Sequence, residues 1–284
     1  MSDPDAGVGT LPPEWRSRLP GEWAEDLGVP ALELHARIGS TNRRLRRLAA
    51  AGATPWTTVI AGEQTAGRGR AGRRWHSPPG AGLWMSVLLE TAGASGSGVL
   101  PLAAGVSVAR ALEEVSGAPM GLKWPNDILF GGRKIAGILC EADGQDARRA
   151  IVGVGVNVRR PQEGYPPGLE SHAAFLGEAS AGGIGLPRLA RSIIRELHRW
   201  ADPPPARLSG ALRGEWEARD HLPGRPVRLE GGTSGTACGV SGEGWLKVTS
   251  ADGTVATVRA GAVEVADWGS PRFTAAPAAE EEAR

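Results

Sequence analysis

The chain changes texture at Gly224, and that change limits the architectures open to it. Before it, apolar runs of strand length alternate with longer stretches of helical spacing; after it come only short β-like runs divided by Gly and Asp-Gly turns. In the first part, 57–64, 82–90 and 150–158 read as strands, and 122–130 with 133–141 around Gly131-Gly132 reads as a hairpin. Residues 43–51, capped at Ser40 or Thr41, together with 99–115, 186–200 and 207–219 have helical spacing. The later runs, 226–229, 235–240, 245–249 and 254–265, predict a small β-barrel. Four regions follow: a flexible lead over 1–30 with at most a short helix, a main domain over 31–220, the barrel over 221–268, and a disordered charged tail over 269–284.

At 284 residues the chain has room for one main domain and one small one, taking ~150 residues per domain. Lys plus Arg (32) nearly balances Asp plus Glu (31), so no general attraction to nucleic acid or membrane is expected. An anion site has to be local. Cys140 and Cys238 belong to no metal or disulfide pattern and read as packing residues. The first twenty residues carry acids and prolines, and no run of 18 apolar residues occurs anywhere, so neither export nor a membrane span is expected and the cytoplasm is the expected location.

The cations are 29 Arg against three Lys (Lys123, Lys134, Lys247), and Asn occurs only at positions 42, 126 and 157. Where Lys or Asn survives such a bias, it supplies what Arg or Asp cannot: a compact mobile charge, or a neutral donor and acceptor. Two of the lysines and all three asparagines fall between residues 42 and 157, which is where chemistry is to be sought.

Three motifs lie in that span. Gly67-Arg68-Gly69-Arg70-Ala71-Gly72-Arg73-Arg74-Trp75 sits between two strands, after Glu63-Gln64. Its glycines admit close backbone approach and its arginines suit carboxylate and phosphate oxygens. If mobile, ordering its seven residues from Gly67 to Arg73 costs roughly 7 to 14 kcal/mol, which a multiply charged ligand can offset; closure on ligand binding is therefore expected. Lys123-Trp124-Pro125-Asn126-Asp127 precedes Lys134 across the glycine turn, so the hairpin is expected to place two lysines, an amide and a carboxylate on one face. Val152-Gly153-Val154-Gly155-Val156-Asn157 offers bare backbone to a planar or aliphatic ligand and is neither a Walker loop nor a dinucleotide fingerprint.

Taken in order with Ser40-Thr41-Asn42 and Arg133-Lys134-Ile135-Ala136-Gly137-Ile138-Leu139, these segments resemble the biotin protein ligase family over most of residues 38–265. The resemblance implies an α+β fold whose mixed sheet and flanking helices are like those of class II aminoacyl-tRNA synthetases, with the barrel of SH3-like type. It implies ATP-dependent activation of biotin to biotinyl-5'-AMP, with Mg²⁺ accompanying ATP, and amide formation on a lysine of a biotin carboxyl carrier domain of acetyl-CoA or related carboxylases. Ser40, Thr41, Asn42, Gln64, Arg68, Gly69, Arg70, Lys134, Gly153 and Gly155 are assigned to biotin. Arg70, Arg73, Trp75, Lys123, Asn126, Lys134 and Asn157 are assigned to ATP or the adenylate. Lys134, Arg68 and Lys123 are expected to carry catalysis by charge, with Asp127 accepting the proton of the acceptor lysine or orienting it. No resident metal site, no nucleic-acid partner, and a monomer or homodimer are expected.

Ala71 stands where the family often has a basic residue, which is expected to loosen closure of the loop, and the winged-helix domain of repressor-type members is not seen before residue 38. His76 is read as structural, Cys140 as packing, and Trp75 and Trp124 as candidate walls of a biotin pocket. The competing readings are a lipoate or octanoate ligase relative, and a nucleic-acid-binding module using Arg43 to Arg47, the Gly-Arg loop and the barrel.

Overall fold

The computed structural model describes residues 11–265 except 92–97, 145, 147, 181, 182, 204 and 230–233. The expected tail and the first ten residues of the expected lead lie outside the described residues. The main unit is a seven-stranded mixed sheet in the order β1-β2-β3-β7-β6-β5-β4. Its strands are β1 (Leu32–His35), β2 (Thr58–Ala61), β3 (Gly82–Glu90), β4 (Gly121–Lys123), β5 (Asp127–Phe130), β6 (Arg133–Ala142) and β7 (Arg149–Asn157). Among the described strand pairs of this sheet β1/β2 alone is parallel, and the chain between these two neighbours returns through a helix, α2 (Thr41–Ala50).

Both faces of the sheet are covered, and the alternation of side chains decides which residue goes where. Leu45 and Ala49 of α2 pack on Val59, Leu88 and Ile151, leaving the arginines of that helix outward. The residues next along the strands, Ile60, Val87, Leu89 and Val152, join the larger core with α3 (Val99–Ser116) and α4 (Leu186–Ala201). On β7 this alternation sends Val152, Val154 and Val156 into the core and turns Gly153, Gly155 and Asn157 to the other face. The Gly-Val repeat is thus a strand with one packed and one bare side.

Three expectations need correction. The stretch read as a flexible lead is packed from residue 11 onward: α1 (Pro20–Leu27) follows a short 3-10 turn, and Trp15 and Trp23 are buried edge-to-face with centroids 5.2 Å apart. Two tryptophans bury more apolar area than a charged, proline-rich composition implies. The run 122–130 is two strands, β4 and β5, paired antiparallel around Trp124 to Asn126, so Lys123 lies across from Asp127 rather than along the same strand. The segment 207–219 is helical only over α5 (Gly210–Glu217).

The C-terminal unit has five strands in the order β11-β10-β9-β8-β12: β8 (Pro226–Leu229), β9 (Ser234–Val240), β10 (Leu246–Thr249), β11 (Val255–Val258) and β12 (Val263–Val265). The single run read over 254–265 is divided into the two outermost strands, and the sheet is open among the described residues rather than closed into a barrel. It docks on the main unit through Trp124, whose indole N–H donates to the Gly244 carbonyl at 2.9 Å, and through Leu208 N–H to the Gly242 carbonyl at 2.6 Å. No helix among the described residues is long and apolar enough to cross a membrane.

Candidate active site

The start of α2, the bare face of β7 and the near ends of β5 and β6 surround a cavity of about 310 Å³. Its floor is polar and closed on itself. Asn42 lies against Gly153, where a Cβ would stand 2.2 Å from its amide oxygen. The Asn42 amide nitrogen donates to Glu141 at 2.8 Å and to the Leu139 carbonyl at 3.3 Å. Its oxygen lies 2.6 Å from the Ser86 hydroxyl, which is also 2.7 Å from Thr41 Oγ1. A hydroxyl has one proton, so Ser86 donates to the amide oxygen, which can only accept, and the single Thr41 proton serves either Ser86 or Gln64 Oε1, 3.1 Å away. Thr41 N–H donates to Gln64 Oε1 at 2.9 Å, and Gln64 Nε2 donates to Ser77 at 3.0 Å. These groups are nearly all hidden from water, and breaking one link costs on the order of 1 to 3 kcal/mol.

The rim is cationic. The Gly-Arg loop folds as a small hairpin: Gly69 N–H donates to the Arg73 carbonyl at 2.7 Å and Trp75 N–H to the Gly67 carbonyl at 3.0 Å. Gly67 has no space for a side chain, since a Cβ would lie 2.4 Å from the Trp75 carbonyl oxygen. Ala71 takes a left-handed conformation (φ 52°) and borders a crevice shared with Ala260, Gly261 and Ala262 of the C-terminal unit. Arg68, Gly69, Arg70, Arg73, Arg74 and Trp75 all line the main cavity. Trp75 stands over bare Gly155, with Lys134 Nζ 5.0 Å from its ring centre. Its indole nitrogen is buried with no partner, a donor available to whatever enters.

Lys134 reaches across β5 to Asp127 at 2.5 Å. Asn126 donates to the Ile138 carbonyl at 2.7 Å and accepts from Arg70 at 3.5 Å, while Asn157 donates to the Ala174 carbonyl at 3.1 Å. Of the sequence-assigned residues, only Lys123 does not line the main cavity. It faces a neighbouring one with Asp127, Lys134 and His221, and burial draws its pKa below the usual lysine range against the pull of Asp127. Trp124 is buried under the C-terminal unit and is not part of the lining of the main cavity, which corrects its expected place in a biotin pocket. His76 does line the cavity, with its pKa held down by burial and by Arg74. Burial pushes the Cys140 thiol up to about 12, so it is no nucleophile.

Sequence reasoning missed Ser86, Glu141, Tyr165 and His172. Ser86 and Glu141 look like ordinary strand residues, and only the cross-strand register brings them to Asn42. Tyr165 and His172 come from an irregular segment with no periodic signal.

A mixed sheet carrying a polar-floored cavity under an arginine-rich hairpin has the shape and charge to receive an organic ligand beside anionic groups. The sequence model of the biotin/lipoate A/B protein ligase family matches residues 34–157. The bifunctional ligase/repressor BirA of Bacillus spizizenii is 33% identical over 76% of this chain and 68% of its own length. The biotin–acetyl-CoA-carboxylase ligase of Mycobacterium tuberculosis is 34% identical over 72% of this chain and 76% of its own length. Two further BirA relatives are matched over about half of their lengths, 46% and 53%. Among solved structures, the biotin protein ligase from Aquifex aeolicus in complex with biotin and ATP superposes with a TM-score of 0.69 at 29% identity, covering 82% of this chain and 97% of that one. The chain belongs to the biotin protein ligase family.

Proposed function

We propose that this chain activates biotin with ATP and transfers it to a lysine of a biotin carboxyl carrier domain of acetyl-CoA or a related carboxylase. The observation that carries the reading is one cavity that gathers Ser40, Thr41, Asn42, Gln64, the Gly-Arg hairpin, Lys134, Asn126 and Asn157. Its closed polar floor suits a neutral ring with its own donors and acceptor, and its cationic rim suits a carboxylate beside a phosphate chain.

In the first half-reaction a biotin carboxylate oxygen attacks the α-phosphorus of ATP and pyrophosphate leaves. Arg68, Arg70 and Lys134 offset the repulsion of the two anions and the charge that grows on the phosphoryl oxygens. Mg²⁺ is assigned to the nucleotide as its counter-ion; among the described residues no three His, Cys, Asp or Glu side chains gather to hold a metal. Arg73, Trp75, Asn126 and Asn157 are assigned to the adenylate, with Lys123 reaching the phosphates from its own cavity. In the second half-reaction the acceptor amine attacks the carbonyl carbon of the mixed anhydride, AMP leaves, and the ammonium proton passes to Asp127, which Lys134 holds in place. Closure of the hairpin over the ligands belongs to the same reading, as does an SH3-like identity for residues 221–268, supported by their five short antiparallel strands.

Biotin-dependent exchange of pyrophosphate into ATP tests the first half-reaction without the acceptor. Lipoate failing to support exchange distinguishes the reading from a lipoate ligase, and absence of exchange with biotin overturns it. Asp127→Asn is expected to keep exchange within about threefold while slowing transfer by roughly a hundredfold, the usual worth of a general base. Full transfer activity in that variant would remove Asp127 from its role.

A further inference from the structure

Glu141 lies outside the cavity lining, yet three groups converge on it. Its carboxylate takes the Asn42 amide at 2.8 Å, Arg46 at 3.0 Å and Arg68 at 3.0 Å. Its side chain is 15% exposed. Burial on its own raises the pKa of the carboxyl, but the Asn42 and Arg46 hydrogen bonds and the charges of Arg46 and Arg68 outweigh it and hold the group ionised. Of the three partners, Arg68 belongs to the cationic hairpin, Asn42 to the polar floor, and Arg46 to the outer part of α2.

We infer that Glu141 is a positioning residue for biotin, tying the first arginine of the hairpin to the floor of the pocket. The hairpin leaves the sheet after Gln64 and returns at Ser77, and the Gln64–Ser77 bond fixes its two feet to each other. From Gln64 the hydrogen-bond chain runs through Thr41, Ser86 and Asn42 to Glu141, and Glu141 reaches back up to Arg68. Floor and hairpin therefore form one closed ring of contacts, and Glu141 is the link between its buried and its exposed half. The placement has a chemical consequence. Before ligands bind, Glu141 balances part of the Arg68 charge, so Arg68 contributes a fixed position as well as charge, and shares the offsetting of carboxylate and phosphates with Arg70, Arg73 and Lys134. Glu141 touches no reacting atom in this account.

The inference rests on the biotin-ligase reading, and one set of variants separates the two. Glu141→Gln keeps size and a hydrogen-bond acceptor but loses the charge that holds Arg68. It is expected to raise the KM for biotin in pyrophosphate exchange by roughly ten- to a hundredfold, the range for losing a hydrogen bond to a charged group. Its kcat is expected to stay within about threefold, because no contact to the reacting atoms is removed. Trypsin cleavage mapped within 67–74 is expected to rise by about tenfold at unchanged midpoint of thermal unfolding. Glu141→Asp keeps the charge a methylene short and is expected to recover part of the loss, with a KM about three- to fivefold above wild type. Arg46→Gln removes the outer cation and is expected to leave KM and cleavage within twofold of wild type. The inference is overturned by Glu141→Gln within twofold of wild type in both readings, or by Arg46→Gln raising KM as much. If Glu141→Gln yields no folded protein, Glu141→Asp within twofold of wild type in KM and cleavage overturns it equally. Wild-type enzyme without biotin-dependent exchange sinks the ligase reading instead, and the cleavage comparison still decides the role of Glu141.

Discussion

The floor and the rim of the cavity are built on opposite terms. On the floor, Thr41, Asn42, Ser86 and Gln64 spend their hydrogen bonds on one another, and buried strand backbone fixes their positions. On the rim, charged side chains rest on partly exposed contacts: Lys134 on Asp127 and the Trp75 ring, Arg68 on Glu141, and Arg70 in part on an Asn126 bond of 3.5 Å. A satisfied, water-poor network is rigid, and moving one member strands its neighbours. A half-exposed ion pair is worth about 1 kcal/mol or less, so the rim can exchange partners when an anion arrives. The difference teaches that, on the proposed reading, a neutral ring meets positions already set in the folded chain, whereas charge stabilisation is left to movable groups.

The largest effect that would break this division is at the rim. Lys134→Ala removes the cation nearest both Asp127 and Trp75 and is expected to lower exchange kcat by about 10²- to 10³-fold, the worth of one group aimed at developing charge. Biotin binding measured without ATP is expected to weaken far less. Lys134→Arg is expected to recover little, because a planar fork cannot occupy the space of a point charge between Gly137 and Asp127. An equal loss in kcat and in biotin binding would show that rim and floor are one unit.

Two glycines on one strand sharpen the contrast. A Cβ at Gly153 would stand 2.2 Å from Asn42 Oδ1, and one at Gly155 would stand 2.4 Å from Trp75 Nε1. The first clash meets a side chain tied to Ser86 and Glu141; the second meets an indole whose nitrogen has no partner. Gly153→Ala is therefore expected to cost about 2 to 3 kcal/mol of stability by breaking the floor network, with biotin affinity down by tenfold or more. Gly155→Ala is expected to cost about 1 kcal/mol as Trp75 shifts, with the larger change in the KM for ATP. Urea unfolding and separate titrations of the two substrates read both; the reverse order of stability loss would contradict the division.

How much of this was legible in the sequence follows the same line. The rim was read directly, because Arg68, Arg70, Arg73 and Lys134 advertise their chemistry by type and by the glycines around them. The floor was half read: Thr41, Asn42 and Gln64 stood in motifs, while Ser86 sits inside an apolar strand and Glu141 ends one. Their roles depend on β3, β7 and β6 being neighbours, a pairing between distant segments that no local pattern encodes. Strand 82–90 and helix 99–115 are legible because burial follows their periodicity, whereas the start of the chain reads as a lead because Trp15 and Trp23 find a core only once the sheet and α4 are in place to receive them.

An effect on stability alone, with none expected on catalysis, concerns a carboxylate outside the cavity that reverses the behaviour of Glu141. Asp220, near the junction with the C-terminal unit, receives N–H bonds from Trp216 at 3.2 Å and Leu222 at 3.1 Å, no cation among the described residues forms an ion pair with it, and Glu217 adds repulsion. Burial pushes its pKa up to about 6. The folded chain then binds the proton more tightly than the unfolded one, so stability is greatest at low pH and falls as pH rises from its ordinary value of 3.8 through about 6, by at most about 3 kcal/mol. Glu141 has the opposite sign: its depressed pKa makes a contribution present above the ordinary 4.5 and lost as pH falls through the folded value. Asp220→Asn keeps one acceptor and abolishes the titration, so its unfolding free energy is expected to lose the decline between pH 4 and pH 7 that wild type shows relative to it. If instead the difference between the two proteins is flat over that interval, Asp220 is not the buried acid described, and Glu141 loses the counter-example that marks cation pairing, rather than burial, as the cause of its charge.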